Sequence, residues 1–304
     1  MHATVLKYFV EVARCGSIRK AAQHLFVASS AVNRQILKLE EELGSELFDR
    51  LPNGIRLNSA GERVLQHVQS TLQDFHVVRT ELDAIKGERS GHISIAAMDS
   101  LFVEFLPAAV EEFSGFFPAV TYSIFAMSPG EVPERVASGE FDIGICFTGK
   151  IPVGLEVVAS ADFPPGVVMA ASHPLASKAE ISYADCAGYS FLTSGGVSPF
   201  HGVVSNEFTE FLDSLTSRIS CNATEMLKRM IVAGRGISIF SQIGFMPEIA
   251  RGEAVWRPLA QPAVRKLQVA IVIPRHRALT HVTQQFVARQ VKRLRQLELT
   301  SQMY

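Results

Sequence analysis

"SSAVNRQILKLEEELG", Ser29 to Gly44, is the stretch on which the reading of the whole chain turns. Val32, Ile36, Leu39 and Leu43 recur at the period of one buried helical face. Ser29, Ser30, Asn33, Arg34, Leu37 and Lys38 share the other side, and Glu40, Glu41 and Glu42 make the helix end acidic. By residue type alone this polar side is a solvated face, since one Arg and one Lys make a weak basic patch. The elements around it decide otherwise.

Upstream, "ATVLKYFVEVARCGS" places Val5, Leu6, Phe9, Val12 and Ala13 on one helical stripe. Gly16 ends that helix and Ser17 caps the next, "SIRKAAQHL", whose Ala21 and Ala22 allow another helix to cross closely. A turn of two or three residues then leads into the opening stretch. Short helices joined by a tight turn to a helix with a polar outer face make a helix-turn-helix. Side chains near the start of its second helix reach base edges: Asn and Arg bidentately, Ser as donor or acceptor. Downstream, Leu51, Ile55 and Leu57 flank a Pro-Asn-Gly turn, the pattern of a small hairpin. Arg50 and Arg56 stand on either side of the turn, where a β wing lays arginines along phosphates or in the minor groove. Asn58 or Ser59 caps a further helix, with Ser59 and Glu62 at capping-box spacing.

From Phe9 to Gly61 the chain resembles the winged helix-turn-helix of LysR-type transcriptional regulators. The likeness rests on the Ala-Ala pair, "AV-x-x-QI-x-x-LE", "LG-x-x-LF-x-R" and the final "AG". Ser29 stands where Gln is common in that family, Asn33 where Ser is, and Asn58 where Thr is. The first two lie on the DNA face and would set which operator is read. The resemblance implies double-stranded promoter DNA as a partner, contacted through Ser29, Ser30, Asn33, Arg34, Lys38, Arg50 and Arg56.

Between Ala60 and Lys86 there is no proline and no glycine after Gly61. Leu65, Val68, Leu72, Phe75, Leu82 and Ile85 nearly follow a heptad seam, disturbed at Val78 and Arg79. The seam either packs on the chain's own next domain or, as the resemblance implies, pairs with a second subunit. "KGERSG", Lys86 to Gly91, reads as a hinge.

After Gly91 strands and helices alternate, the pattern of an α/β domain with a largely parallel sheet. "LPAAVEEFSGFFPAV", "ASGEFDIGI" and "VAGRGISIF" resemble the LysR-type effector domain, which has the two-lobed fold of periplasmic solute-binding proteins. The expected architecture is therefore α/β: a winged helix-turn-helix at 1–58, a linker and dimerisation helix at 59–87, a hinge at 88–91, and an effector domain at 92–304. Lobe I would span about 92–162 plus 267–304, and lobe II about 163–266.

A ligand in such a fold sits outside the carboxyl ends of strands, often at helix N-termini. "MDSL" at 98–101, "MSP" at 127–129, "TSGG" at 193–196 and "CNAT" at 221–224 qualify. Ser100, Ser128, Thr193, Ser194, Asn222 and Thr224 are the expected contacts, though each also reads as an ordinary helix cap. Such donors favour a small anion such as a carboxylate; Asp99 favours a zwitterion with an amino group. Phe102 and Phe200 could line the cleft or belong to the core.

Composition bounds the alternatives. Across 304 residues with 47% hydrophobic and 19% charged residues, packed cores are affordable, and no apolar run reaches membrane-span length. Residues 1–60 carry eight Lys/Arg against six Asp/Glu, 91–264 nine against eighteen, and 265–304 eight against one. A nucleic-acid surface should lie outside that acidic middle. Arg289, Lys292, Arg293 and Arg295 of the basic tail read as the outer face of a helix. Its Val282, Phe286, Val287, Val291 and Leu294 would pack on lobe I. Cys15, Cys146, Cys186 and Cys221 show no C-x-x-C spacing, so neither disulfide nor zinc site is expected, and the compartment expected is the cytoplasm. His173 and His276 read as surface loop histidines. "GRG" at 234–236 leads into a strand and is no dinucleotide fingerprint, and "GVSPFHG" is no nucleophile elbow. No catalytic residue, metal or cofactor is expected, and no enzyme. The resemblance further implies a homotetramer of two dimers and contact with RNA polymerase.

Overall fold

The computed structural model describes residues 3–51, 54–85, 90–149, 151–194 and 206–301. The chain divides into two compact units, Met1–Leu82 with Ser138–Glu140, and Asp83–Ala137 with Phe141–Tyr304. Most of the expected hinge lies outside the described residues, as do Gly195, Gly196 and Phe200.

The first unit runs α1 (Ala3–Cys15), α2 (Ile18–His24), α3 (Ser29–Leu43), β1 (Phe48–Leu51), β2 (Gly54–Leu57) and α4 (Ser59–Ile85). Phe9, Val12, Ala21, Ala22, Val32, Ile36, Leu39, Leu47, Phe48 and Val68 form its core. The periodic stripes of α1 and α3 and the alanine pair of α2 thus meet where their spacing placed them. Leu43 departs from that expectation and is half exposed. Gly44, at φ 64°, ends α3 immediately after it, and Gly44 and Ser45 fold back to donate to the carbonyls of Glu41 and Glu40. The last turn of α3 therefore has no core beneath it.

The expected capping box at Ser59 and Glu62 is replaced by its neighbour. Asn58 stands just before α4, and its Oδ1 accepts from the Gly61 amide at 2.8 Å. Its Nδ2 donates to the Glu46 carbonyl at 2.9 Å, so one amide both starts α4 and ties it to the wing. The "AG" motif has a steric cause: a Cβ on Gly61 would lie 2.0 Å from the Leu47 carbonyl oxygen.

The second unit contains β3 (Ser90–Met98), α5 (Phe105–Phe116), β4 (Ala119–Met127), α6 (Glu131–Ala137), β5 (Ile143–Phe147), β6 (Leu155–Ala161) and β7 (Pro165–Ala170). It continues with α7 (Tyr183–Cys186), β8 (Phe191–Thr193), α8 (Asn206–Ser214), β9 (Ser217–Ser220), α9 (Thr224–Val232), β10 (Ser238–Ser241), α10 (Met246–Ala250) and β11 (Ala254–Pro258). α11 (Pro262–Arg265), β12 (Val269–Pro274) and α12 (His281–Ser301) complete it.

One lobe is built on a five-stranded sheet of order β4-β3-β5-β12-β6. The other holds β10-β7-β11 and β8-β9, joined by a parallel bridge between Phe191 and Ile237. Strand parallelism corrects the sequence reading. β3 runs parallel to β4 and β5, but β12 is antiparallel to both β5 and β6, and β7 is antiparallel to both its neighbours. The reason is connectivity: β7 and β12 enter their sheets from the other lobe's side, not through a βαβ crossover. α12 packs on the first sheet through Val282, Phe286, Val287 and Leu294, with Phe286 edge-on to Phe113 at 5.2 Å.

Candidate functional site

In the first unit, α1, α2 and the wing present α3. The N–H of Ile55 in β2 donates to the Gly16 carbonyl at 2.9 Å, clamping the wing to the α1–α2 turn. Gly54 adopts φ 148° there, and a Cβ would meet the Gly16 oxygen at 2.5 Å. Ser29, Ser30, Arg34 and Lys38 are exposed along α3, Asn33 is half-buried, and Arg50 and Arg56 are exposed on the wing. Arg56 faces Asp49 across the hairpin at 3.7 Å, and Lys38 faces Glu42 one turn on at 3.7 Å. Among the described residues no ion pair reaches Arg34 or Arg50. Screening makes the two long pairs weak, so both remain available to a polyanion. The acidic end of α3 also has a structural role. Glu40 Oε1 accepts from the Leu47 amide at 2.8 Å and so fixes the chain as it enters β1.

Sequence reading passed over Phe26 in the turn between α2 and α3. It is 95% exposed and holds φ 55°, the only described non-glycine residue with positive φ.

In the second unit the expected contacts gather at strand ends. Asp99 and Ser100 form a 3-10 turn after β3, and Ser128 follows β4, whose Met127 pairs with Met98 of β3. Thr193 closes β8, Ser194 follows it, and the Cys221 amide donates to the Thr193 carbonyl at 3.0 Å. Asn222 is exposed and Thr224 starts α9. The lobes meet at two of these places. Thr224 Oγ1 donates to Asp99 Oδ2 at 2.7 Å, and buried Ser100 lies so close to Gly244 that a Cβ there would stand 3.0 Å from its own. Ser128 is engaged just ahead of α6: its backbone amide at 3.2 Å and its hydroxyl at 2.7 Å both donate to Glu131 Oε2. Thr193 shares its hydroxyl with Ser217 at 2.8 Å. Ser100, Thr224 and Asp99 are therefore the groups brought together across the lobes.

The crossover between the lobes carries a polar network that no motif announced. Gln268 accepts from Ser160 at 2.7 Å, donates to Asp162 at 2.6 Å and exchanges backbone contacts with Thr148. Burial pushes the thiols of Cys146 and Cys186 up to about 12, so both stay protonated. His173 is a half-buried cap, not a surface histidine: Nδ1 accepts from the Leu175 amide at 3.2 Å, and burial lowers its pKa. In the basic tail, Arg289 and Arg293 pair with Glu112. Among the described residues no helix is long and apolar enough to cross a membrane.

Two family models match this chain. Residues 4–62 match "Bacterial regulatory helix-turn-helix protein, lysR family", and residues 86–295 match "LysR substrate binding domain". The regulator CysB of Burkholderia cenocepacia is 30% identical over 241 residues, spanning 78% of this chain and 76% of its own length. A full-length OxyR variant from Pseudomonas aeruginosa shares the fold with a TM-score of 0.64 at 20% identity, covering 97% and 95% of the two chains. Full-length CbnR complexed with its target DNA shares it with a TM-score of 0.56 at 21% identity, covering 97% and 99%.

Proposed function

The chain belongs to the LysR-type transcriptional regulators, and from that premise we propose that it reads an operator through α3 and its wing while sensing an amino-acid-like effector. Ser29, Ser30, Asn33 and Arg34 contact base edges, Lys38 contacts phosphate, and Arg50 and Arg56 hold the flanking backbone or minor groove. The observation that carries this reading is the exposed row of α3 together with two exposed arginines on a wing that the Ile55–Gly16 hydrogen bond holds to the α1–α2 turn. Loss of operator affinity in an Arg34→Ala, Arg56→Ala double variant, by about tenfold or more in a gel shift, is the expected result. Undiminished binding would sink it.

The effector lies between lobes bounded at about 92–162 plus 267–304 and at about 163–266. Ser100, Thr193, Ser194, Asn222 and Thr224 supply donors for a carboxylate, with Ser128 at the margin. Asp99 supplies an acceptor for an amino group, which favours an amino acid over a simple organic acid. Its entry exchanges the Thr224–Asp99 hydrogen bond for ligand contacts and so shifts the angle between lobes. Thermal shifts given by amino acids, and lost in Asp99→Asn, support this; equal shifts from matched monocarboxylates in both proteins count against it. The working protein is a cytoplasmic dimer paired through α4, assembled into a tetramer that contacts RNA polymerase.

A further inference from the structure

Near the end of α1, the helix-turn-helix holds a side-chain cluster that DNA reading does not use. Glu11 Oε1 lies 2.9 Å from His24 Nδ1 and 3.3 Å from Cys15 Sγ, and those two atoms are 3.5 Å apart. Tetrahedral zinc with oxygen, nitrogen and sulfur ligands at about 2.0, 2.1 and 2.3 Å has ligand-to-ligand edges of about 3.3 to 3.6 Å. The triangle is thus within a few tenths of an ångström of one face of such a site. Arg14 Nη2 sits over the same point, 2.5 Å from Glu11 Oε1 and 2.9 Å from His24 Nδ1.

These contacts conflict. If Nδ1 carries the proton, it faces an Arg14 N–H. If it does not, its lone pair faces the Glu11 oxygen. A cation at the centre removes the conflict, since all three ligand atoms would then direct lone pairs at it. We infer that Glu11, Cys15 and His24 bind one divalent ion of the zinc type, displacing the Arg14 guanidinium and leaving a fourth position to water. The Arg14 side chain is 63% exposed, so it has room to leave. The thiol proton passes to solvent as the sulfur–metal bond forms, with no change in oxidation state. One sulfur, one imidazole and one carboxylate select zinc or cobalt over calcium or magnesium.

The position gives occupancy a consequence. Cys15 precedes Gly16, which clamps the wing, and His24 ends α2, two residues after the buried Ala21–Ala22 pair. An ion here ties the ends of α1 and α2 together, one residue before the carbonyl that holds the wing.

Reduced, chelator-treated full-length protein titrated with Co²⁺ tests the site, because a thiolate ligand gives a near-ultraviolet charge-transfer band. One Co²⁺ per chain is expected, displaced by Zn²⁺. The band should vanish in Cys15→Ser, persist in Cys221→Ser, and need about tenfold more metal or greater in His24→Gln. Arg14→Ala should tighten binding, which a purely structural hydrogen-bond cluster would not do. No thiolate band, a band retained in Cys15→Ser, or weaker binding in Arg14→Ala would overturn the inference; far-ultraviolet circular dichroism confirms that each variant is folded. In a gel shift Zn²⁺ should change operator affinity in the wild type and not in Cys15→Ser. An equal affinity with and without Zn²⁺ in the wild type refutes the coupling while leaving the binding titration to decide the site.

Discussion

Phe26 is the residue whose conformation is least suited to its type. At φ 55° its Cβ crowds the following carbonyl, and the ring, 95% exposed, recovers nothing by packing. Replacing it with Asn, which tolerates the left-handed region, should stabilise the protein by about 1 kcal/mol. Urea unfolding measures this, and a midpoint that is unchanged or lower would show the strain to be relieved elsewhere. At this scale the sequence was informative where chemistry is local. The stripe of α3, the Ser17 cap and the exposed Arg34 followed from period and residue type. It was silent where partners are distant in sequence. Glu40 sits at a helix end where the dipole disfavours negative charge, and its reason is the Leu47 amide that donates to it. Cys15 and His24 belong to no spacing motif, and only the packing of α1 on α2 brings them within 3.5 Å.

Among the elements, α7 shows most directly how a short helix is held by charge. Ser182 and Asp185 form a reciprocal capping box, and Lys178 donates to the same carboxylate. That Lys178 contact, then the Ser182 hydrogen bonds, lower Asp185 from an ordinary 3.8 to about 2. A depressed folded-state value means a contribution fully present above 3.8 and lost as pH falls towards about 2. Urea midpoints of wild type and Asp185→Asn should therefore converge as pH falls from about 4 to about 2. A gap independent of pH would assign the role to shape and not to charge. Element types were legible from periodicity in most cases. β6 and β11 were not, and neither was the direction of β7 and β12, because pairing partners are chosen in three dimensions. The heptad reading of α4 divides in two. Leu65, Val68 and Leu72 pack on the unit's own core, whereas Phe75, Val78 and Leu82 stay substantially exposed. Val78, which disturbs the heptad on paper, lies on that exposed continuation.

At the scale of the molecule, those exposed apolar side chains bear on assembly. If α4 pairs with its counterpart, a Val78→Asp, Leu82→Asp variant should sediment as a smaller species than wild type at equal concentration. An unchanged sedimentation coefficient would place the subunit contact elsewhere. The two-lobed plan was legible from alternating elements and short motifs; the site between the lobes was legible only as strand ends. Which of those ends meet depends on the crossover at Gln268 and on Gly244 admitting Ser100. The sheet order β4-β3-β5-β12-β6 also has a consequence for biosynthesis. β12 lies between β5 and β6, yet more than a hundred residues of chain separate it from them, including every strand of the other lobe. On the ribosome, the second lobe is complete while the first still displays two unpaired strand edges awaiting their centre. For that interval the nascent protein is a template for wrong pairing, and a message truncated before Val269 would release a chain with those edges permanently open.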